Sequence, residues 1–528
     1  GGRDATWLAI GASIFASNIG SEHLIGLAGA GASSGMAMAH WEIQGWMILI
    51  LGWVFVPFYT RSMVYTMPEF LERRYNPQSR TILSVISLVS YVLTKVAVTV
   101  YAGGLVFQQV FGIKELWGID FFWIAAIGLV VLTALYTIFG GMKSVLYTSV
   151  LQTPILLLGS LIILVLGFKE LGGWDEMMRV CGAVTVNDYG DTMTNLIRSN
   201  DDANFPWLGA LIGSAIIGFW YWCTDQFIVQ RVLSGKNEKE ARRGTIFGAY
   251  LKLLPVFLFL IPGMIAFALH QKYIGAGGEG FLPMLANGTA NADAAFPTLV
   301  AKLLPAGVKG LVVCGILAAL MSSLASLFNS SAMLFTIDFY KRFRPETPEK
   351  KLVGIGQIAT VVIVILGILW IPIMRSVGDV LYTYLQDVQS VLAPGIAAAF
   401  LLGICWKRTS AQGGMWGLIA GMVIGLTRLG AKVYYSNAGE VADSTFKYLF
   451  YDMNWLFFCG WMFLFCIIVV IVVSLATEAP TAEKIQGLVF GTATKEQKAA
   501  TRASWDHWDI IHTAIILAIT AAFYWYFW

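Results

Sequence analysis

An unusual polar run, Ala16-Ser17-Asn18-Ile19-Gly20-Ser21-Glu22-His23, lies in the middle of an otherwise apolar segment that extends from about Trp7 to Ala30. Gly20 permits backbone angles that other residues resist, and the flanking Ser and Asn side chains offer partners for freed backbone groups. We interpret the run as a break in a membrane helix, whose exposed carbonyl oxygens could bind an ion or a solute at the middle of the bilayer. The alternative is a kinked helix whose polar residues only join it to its neighbours.

Ionisable residues also occur inside other apolar segments, at Glu42, Lys95, Asp225 and Lys252. A charged side chain at the centre of a bilayer costs about 2.5–3.5 kcal/mol on insertion scales, and it usually faces a cavity or an opposite charge. Glu42 and Lys252 are therefore candidate solute-binding residues. The alternative, a structural ion pair or a side chain that reaches the membrane interface, is favoured for Lys95 and Asp225.

Adjacent serines, Ser322 and Ser323, occupy the apolar segment Ala318–Ser326. Serine hydroxyls in a helix commonly bond back to a carbonyl one turn earlier, and taken alone these two residues would be interpreted in that way. Beside an interrupted helix, their hydroxyls could instead complete an oxygen cage together with free carbonyls. Na⁺ is a hard cation that suits such oxygen ligands.

Two further segments combine aromatic rings with polar groups, Phe219–Gln226 and Tyr382–Asp387. A sugar ring offers apolar C–H faces to an aromatic plane and hydroxyl groups to polar side chains. Gln386 carries one amide donor group and one acceptor, which suits a hydroxyl. The alternative for both segments is ordinary packing between helices.

Membrane-spanning helices must position these residues. Of the 528 residues, 57% are hydrophobic and only 13% are charged, whereas about a quarter are charged in soluble domains. Together with apolar runs of 18 or more residues, this composition predicts a multi-pass membrane protein. The six cysteines are dispersed, which indicates neither a disulfide framework nor a metal cluster. The net charge of +3 and the absence of a basic groove give no sign of a nucleic-acid partner.

Sequence motifs of soluble enzymes are missing or misplaced. Gly275–Gly280 matches G-x-G-x-x-G, but it lies in a predicted external loop without the strand and helix that a dinucleotide site requires. Metalloprotease, Walker and nucleophile-elbow motifs are absent, so an enzyme is disfavoured.

The apolar pattern predicts thirteen spans, near 7–30, 43–60, 82–113, 121–139, 145–168, 207–234, 245–269, 306–337, 352–373, 380–405, 412–432, 454–476 and 508–528. Basic residues cluster after spans 2, 6, 8 and 10, which places the even-numbered connections and the linker 477–506 in the cytoplasm. Spans 1 and 6 lie five apart and both have polar centres, so they could be equivalent helices of a five-plus-five inverted repeat.

Five segments together resemble the sodium/glucose cotransporters of the solute:sodium symporter family. They are Gly11 to Gly35, Tyr65 to Phe70, Trp220 to Gln226, Tyr250 to Pro255 and Leu320 to Asn329. The resemblance implies an all-α, LeuT-like inverted-repeat bundle. It divides the chain into a first repeat at 1–168, an external loop at 169–206, a second repeat at 207–405 and peripheral spans 11–13 at 406–528. Members of that family usually carry one helix ahead of span 1, and whether one precedes Gly1 stays open at this point.

The same resemblance implies a role for individual residues. Sodium ligands would be the carbonyls of Ala16, Ile19 and Ala319 and the hydroxyls of Ser322 and Ser323. Sugar contacts would come from Asn18, His23, Glu42, Trp222, Lys252 and Gln386. Tyr221 would stack under the sugar as an inner gate, and the outer side would be covered by Leu27, Met38 and Tyr382.

The chain departs from the family where some members bind a second Na⁺. Those members have Asp where this chain has Ser149 and Thr where it has Ala325. We therefore expect one Na⁺, the co-transported ion, to enter with each glucose or galactose. Tyr382 and Thr383 stand where some animal members have Phe and Asp, so the outer gate is expected to differ in detail.

Three alternatives remain open at this stage. The solute could be myo-inositol or another polyol, because the same polar groups suit any polyhydroxyl compound. A sugar sensor without net transport has little support, since the only sizeable soluble segment is the linker 477–506, and a channel is disfavoured because the polar groups cluster. The short loops suggest the plasma membrane of a bacterium. The expected partners are a small sugar, Na⁺ and the lipid bilayer.

Overall fold

The computed structural model describes residues 4–20, 22–64, 66–285, 287–377, 380–438 and 441–528, but not the side chains of 136–153, 329 and 376–377. Ser21, Tyr65 and the side chains of Ser149 and Asn329, which the sequence analysis used, lie outside this description. Within the described residues, eleven helices are long and apolar enough to cross a membrane. The helix Trp7–Asn18 is apolar but shorter.

The first repeat predicted from the sequence is helical almost throughout, with one short hairpin between Glu115–Leu116 and Ile119–Asp120. Its helical segments are Trp7–Asn18, Glu22–Leu27, Ala28–Ser34, Gly35–Met38, Ala39–Glu42, Gly45–Ile50, Leu51–Phe55, Val56–Ser62, Met67–Arg74, Pro77–Ser90, Tyr91–Val96, Ala97–Phe111 and Phe121–Leu171.

The second repeat follows a short helix in the external loop, Trp174–Gly182. Its helical segments are Trp207–Gly218, Phe219–Thr224, Gln226–Leu233, Glu238–Leu251, Val256–Leu260, Ile261–Gly275, Ala292–Ala294, Ala295–Leu303, Ala306–Met333, Leu334–Tyr340, Lys341–Phe343, Glu349–Val377 and Leu381–Cys405. The peripheral region contains Ala411–Asn437, Thr445–Lys447, Tyr448–Asp452, Trp455–Ala476, Ala482–Ile485, Lys495–Ala503 and His507–Tyr526.

Spans 4 and 5 fall on one helix, Phe121–Leu171, whereas the sequence predicted a break near residues 140–144. That stretch contains a glycine pair but no proline, and glycine permits a break without forcing one. The two ends of the helix pack differently. Leu129 lies against Gly103 of span 3, whereas Ile155 lies against Gly315 of span 8. The division into repeats, including this boundary, remains a prediction.

The predicted sidedness agrees with the contacts between distant segments. On the predicted cytoplasmic side, Arg61 donates to Thr501 at 2.7 Å and Arg243 pairs with Asp506 at 2.7 Å. On the predicted outer side, His40 bonds the carbonyl of Leu196 at 2.9 Å. In each of these pairs, both residues lie on the same predicted side of the membrane. This is expected if the basic loops remain in the cytoplasm.

Glycines let the outer half of span 1 approach span 7 at backbone distance. A Cβ atom added to Gly31 would collide with the carbonyl of Leu260, and one added to Gly263 would collide with the carbonyl of Ala28. Small residues are the usual means of close helix packing in membranes. This contact holds span 7, which carries Lys252, against the interrupted span 1.

Candidate functional site

Span 1 is interrupted where the sequence predicts it. Its first helix ends at Asn18, Ile19 has extended backbone angles (φ −84°, ψ 99°), and helical structure begins again at Glu22. The carbonyl of Gly20 accepts the amides of His23 and Leu24 at 3.1 Å each. The carbonyls of a helix's last turn lack partners within that helix, and Ala16 belongs to this turn. The break therefore presents backbone oxygens beside buried polar side chains.

Span 6 is interrupted as well. A π-helical segment ends at Thr224, Asp225 is extended (φ −73°, ψ 128°), and a new helix begins at Gln226. The Asp225 carboxylate accepts the amide of Phe227 at 3.3 Å and so caps the new helix. Breaks in spans five apart are the feature expected of an inverted repeat.

Glu42 is the centre of a buried cluster that joins spans 1, 2, 7 and 10. Its Oε2 atom lies 2.6 Å from the Lys252 ammonium and 3.2 Å from His23 Nε2. Its Oε1 atom accepts a hydrogen bond from the Tyr382 hydroxyl at 2.5 Å. We call these four residues the Glu42 cluster. All four are buried, Glu42 completely, and short bonds to a carboxylate in such surroundings are strong.

Asn18 and the aromatic residues of span 6 form an adjoining wall. Asn18 Nδ2 lies 3.3 Å from His23 Nε2, and the Tyr221 hydroxyl lies 3.4 Å from Asn18 Oδ1. The Trp222 ring meets the Tyr221 ring edge-on at 5.0 Å, and the Lys252 ammonium lies 5.3 Å from the centre of the Trp222 ring. Asn18, the last residue before the break in span 1, thus contacts the Glu42 cluster through His23.

One central cavity of about 50 Å³ brings together all seven residues predicted to bind the solute. Its walls consist of Asn18, Glu22, His23, Trp41, Glu42, Gln44, Lys95, Ile217, Gly218, Tyr221, Trp222, Lys252, Tyr382, Leu385, Gln386 and Gln389. A cavity of this size holds a few water molecules, whereas pockets for small ligands are usually about 300–1,000 Å³. A sugar therefore enters only if the walls move apart.

Four buried polar atoms of residues that line this cavity have no hydrogen-bond partner in the described part of the chain. They are Gln386 Oε1, His23 Nδ1, Trp41 Nε1 and Lys95 Nζ. An unpaired buried polar atom costs about 1–3 kcal/mol, which a bound hydroxyl group would offset.

The predicted sodium ligands come from the break and from span 8. A Cβ atom added to Gly20 would lie 3.2 Å from Ser323 Oγ, so this hydroxyl reaches the break. Ala319 lies one turn before Ser323 on the helix Ala306–Met333, and residues three and four apart share a helix face. Ser322 follows on the same helix, and Ile19 is buried at the break.

The four predicted gate residues differ in whether they line the cavity. Leu27 and Met38 are completely buried but do not line the cavity, whereas Tyr382 does. Tyr221 is half-buried and also lines the cavity. Tyr382 also bonds Glu42 directly, a contact that the sequence analysis did not predict.

Lys95 and Asp225 pair with each other, and an ion pair is one of the two structural roles that the sequence favoured for them. Lys95 Nζ lies 3.7 Å from Asp225 Oδ2 and 3.7 Å from the centre of the Phe227 ring. Lys95 also lines the central cavity. The pair therefore fixes the break in span 6 next to the site.

Several cavity residues were not predicted as site residues, among them Glu22, Gln44 and Gln389. Glu22 lies close to the break, since a Cβ atom on Gly20 would be 2.7 Å from its Oε2 atom. Its place in the polar run was a signal that could have identified it. Gln389 lies three residues after Gln386 and so shares its helix face. Gln44 Nε2 is bonded to the Ser214 carbonyl at 2.7 Å, and its sequence context gave no signal.

Two interrupted helices and a buried polar cavity between packed spans define a class of protein, the secondary transporters with discontinuous helices. Comparison with known proteins identifies the group within that class. A model of the sodium:solute symporter family matches residues 1–421, and the chain belongs to this family.

Similar proteins include the human sodium/myo-inositol cotransporter 2, which is 36% identical over 504 residues, 93% of this chain and 74% of that protein. The sheep sodium/glucose cotransporter 1 is 39% identical over 495 residues, 90% of this chain and 74% of that protein. A solved structure of a Na⁺-coupled sialic acid symporter superimposes with a TM-score of 0.67 at 22% identity, covering 91% of this chain and 92% of that one.

These comparisons confirm the resemblance to the symporter family and the prediction of a LeuT-like, all-α membrane protein. The chain is a Na⁺-coupled solute symporter and not an enzyme. It is a multi-pass integral membrane protein, and Na⁺ is its co-transported ion.

Proposed function

We propose that the chain carries a hexose, glucose or galactose, into the cell together with Na⁺ by alternating access. The observation that supports this most is the convergence of the Glu42 cluster, Asn18 and Gln386 on one cavity beside the break in span 1. A carboxylate, an ammonium, an imidazole and two amides supply both donors and acceptors for sugar hydroxyls. The glucose cotransporter among its relatives agrees with this solute class.

Coupling follows from the shared position of the two proposed sites. Asn18 ends the same helix whose last turn contains the proposed sodium ligand Ala16. Na⁺ bound there would order this turn and so hold Asn18 in the position that meets the sugar. Ala16, Ile19, Ala319, Ser322 and Ser323 are the proposed ligands. One positive charge that moves down 100 mV contributes about 2.3 kcal/mol to uphill sugar uptake.

The proposed cycle uses Tyr382 on the outer side and Tyr221 on the inner side. Tyr382 bonds Glu42, and Tyr221 bonds Asn18. Each of these two tyrosines is hydrogen-bonded to a residue proposed to bind the sugar. Sugar binding would therefore replace these tyrosine hydrogen bonds with hydrogen bonds to the hydroxyl groups of the sugar. Leu27 and Met38 are proposed to cover the outer side. We propose that the protein lies in the plasma membrane, and specifically in the inner membrane of a bacterium.

Myo-inositol is the second candidate solute. It is favoured by the similarity to several proteins named sodium/myo-inositol cotransporters, including the dog protein, which is 37% identical over 512 residues. Myo-inositol has a ring of hydroxyl groups like a pyranose but no ring oxygen. In either case the polar cavity residues would contact hydroxyl groups.

Uptake into proteoliposomes separates the two candidates. Labelled glucose, galactose and myo-inositol would be tested in inward gradients of Na⁺, K⁺ and choline. We expect Na⁺-dependent accumulation of a hexose that excess myo-inositol inhibits weakly. If only myo-inositol accumulates, the polyol and not a hexose is the solute. If neither a hexose nor myo-inositol accumulates, both proposed solutes are refuted.

Replacing Gln386 with alanine is expected to raise the half-saturating sugar concentration by about five- to thirtyfold. The physical reason is the loss of an amide whose Oε1 atom is buried and has no protein partner in the described residues. Leaving a buried sugar hydroxyl without this partner costs about 1–3 kcal/mol, and 1–2 kcal/mol corresponds to a factor of about five to thirty. The measurement is initial uptake as a function of sugar concentration.

The matched control is Ser390→Ala on the same helix. The Ser390 hydroxyl donates to the Asp387 carbonyl at 2.5 Å and does not line the cavity. We expect this variant to keep the parental half-saturating concentration. Equal values for the Gln386 variant and its control would contradict the proposed contact.

One Na⁺ is expected to enter with each sugar. Ala325 has no oxygen to offer in its side chain and is completely buried, and Ser149 lacks the carboxylate of members with a second sodium site. Charge and sugar fluxes measured together in voltage-clamped membranes should give a ratio of one. A ratio of two would refute the expectation.

A further inference from the structure

The residue at the N-cap of span 10, Val380, has no side chain that could cap the helix. The helix Leu381–Cys405 follows Val380, which is extended and makes no side-chain capping bond. The first amides of any helix have no acceptor within it. Here the Leu381 amide donates to both carboxylate oxygens of Asp293, each at 3.1 Å. The cap therefore comes from a residue that lies 88 positions earlier in the chain.

Asp293 lies on the short 3₁₀ helix Ala292–Ala294, in the loop between spans 7 and 8, and only 3% of its surface is exposed. Tyr101 of span 3 donates to its Oδ2 atom at 3.4 Å. A Cβ atom added to Gly29 would lie 2.5 Å from Asp293 Oδ1 and 3.0 Å from Asp293 Cα, so the outer half of span 1 approaches it closely. One carboxylate thus joins spans 1, 3 and 10.

The contacts of Asp293 with spans 1, 3 and 10 lie directly next to the outer gate residue Tyr382. Tyr382 follows Leu381 and donates to Glu42 at 2.5 Å. A Cβ atom added to Gly26 would lie 3.2 Å from Tyr382 Cβ, so span 1 and span 10 also touch at the gate. The position of Leu381 therefore determines where Tyr382 stands over the Glu42 cluster.

We propose that Asp293 is the latch that holds the outer side of the transporter closed. Opening the outer side moves the beginning of span 10 away from span 1 and breaks the bonds between Asp293 and the Leu381 amide. A carboxylate at a helix N-terminus is stabilised by the helix dipole, and its hydrogen bonds are about twice as strong as neutral ones. Asp293 does not touch the cavity, so it is a positioning residue. This inference rests on the alternating-access cycle proposed above.

The test measures access from outside at a reporter cysteine, Leu27→Cys, in the predicted outer gate. The purified variant is reconstituted with Na⁺ and without sugar, and a membrane-impermeant thiol reagent is added outside. We expect Asp293→Asn to raise the labelling rate of the reporter about five- to thirtyfold, because the neutral amide caps more weakly. Asp293→Ala should raise it further.

Asp202→Asn is the matched control. Asp202 is also a buried carboxylate of the outer loops, and it accepts the amides of Asn204 and Phe205 at 2.9 and 2.7 Å. Its hydrogen bonds with Asn187, Asn204 and Phe205 all stay within the predicted external loop 169–206, so its variant should label at the rate of the reporter alone. Equal labelling in the two asparagine variants, both recovered as monodisperse protein, would overturn the latch.

The labelling assay does not depend on which solute is carried. If neither hexose nor myo-inositol is transported but Asp293→Asn still raises labelling, the proposed substrate fails and the latch stands. If sugar is transported and labelling does not change, the latch fails and the proposed substrate stands. Reactivity of the parent chain's own cysteines is measured first, without the reporter, and subtracted.

Discussion

The variant Glu42→Gln is expected to abolish Na⁺-driven sugar accumulation, with uptake reduced at least a hundredfold. Glutamine keeps the shape of the side chain but removes the charge that faces the Lys252 ammonium at 2.6 Å. Breaking a buried ion pair by removing one partner costs about 3–5 kcal/mol, which corresponds to a factor of about a hundred to several thousand. The carboxylate accepts hydrogen bonds from Tyr382 and Lys252 on separate oxygens, whereas glutamine has a single acceptor oxygen and cannot accept from both in this geometry. Uptake by reconstituted protein is the measurement.

A double variant separates the loss of folding from the loss of binding. In Glu42→Gln combined with Lys252→Gln, the unpaired charge is gone, so the yield of folded protein should recover while uptake remains absent. The control is Glu69→Gln, whose partner Arg73 lies 2.8 Å away and is 45% exposed. An exposed pair of this kind contributes at most about 1 kcal/mol. Substantial uptake by well-folded Glu42→Gln would refute the role of Glu42 in the site.

The second large effect is expected for Ser323→Ala, which should uncouple sugar uptake from Na⁺. The Ser323 hydroxyl lies beside the break in span 1, 3.2 Å from the position that a Gly20 Cβ would occupy. A hard cation in a site of few oxygens depends on each of them. We expect the half-saturating Na⁺ concentration to rise at least tenfold, and uptake at ordinary Na⁺ concentration to approach that in choline.

The matched control for Ser323→Ala is Thr336→Ala in the same span. The Thr336 hydroxyl donates to the Ala332 carbonyl at 2.6 Å, one turn earlier, as serine and threonine commonly do in membrane helices. Its loss should leave the Na⁺ dependence of uptake unchanged. Full sodium dependence in Ser323→Ala, with the parental half-saturating Na⁺ concentration, would contradict the assignment of this hydroxyl to the sodium site.

Features that depend on local chemistry were predictable from the sequence. The break in span 1 follows from a glycine and polar side chains within an apolar run, and the helix does end at Asn18. Apolar runs of bilayer length identified the spans, since length and composition decide which segments cross a membrane. The exception is the helix Phe121–Leu171, where a glycine pair permitted a break that the backbone does not make.

Contacts between distant spans required the tertiary structure. Glu42 and Lys252 were candidate solute-binding residues because both are charged residues in apolar segments. Nothing in their positions along the sequence indicated that they form an ion pair with each other. The Tyr382 hydroxyl bonded to Glu42, and Asp293 capping span 10, join residues that are 340 and 88 positions apart. Apolar periodicity does not encode such pairings.

The sequence by itself determined that this chain crosses the membrane many times and interrupts its first span, because hydrophobicity and backbone freedom are properties of neighbouring residues. Only the packed bundle decided which buried charges meet, how small the cavity between them is, and which loop residue caps span 10. The physical reason is that a buried polar group must find a partner, and the partners available to it are set by how the helices pack.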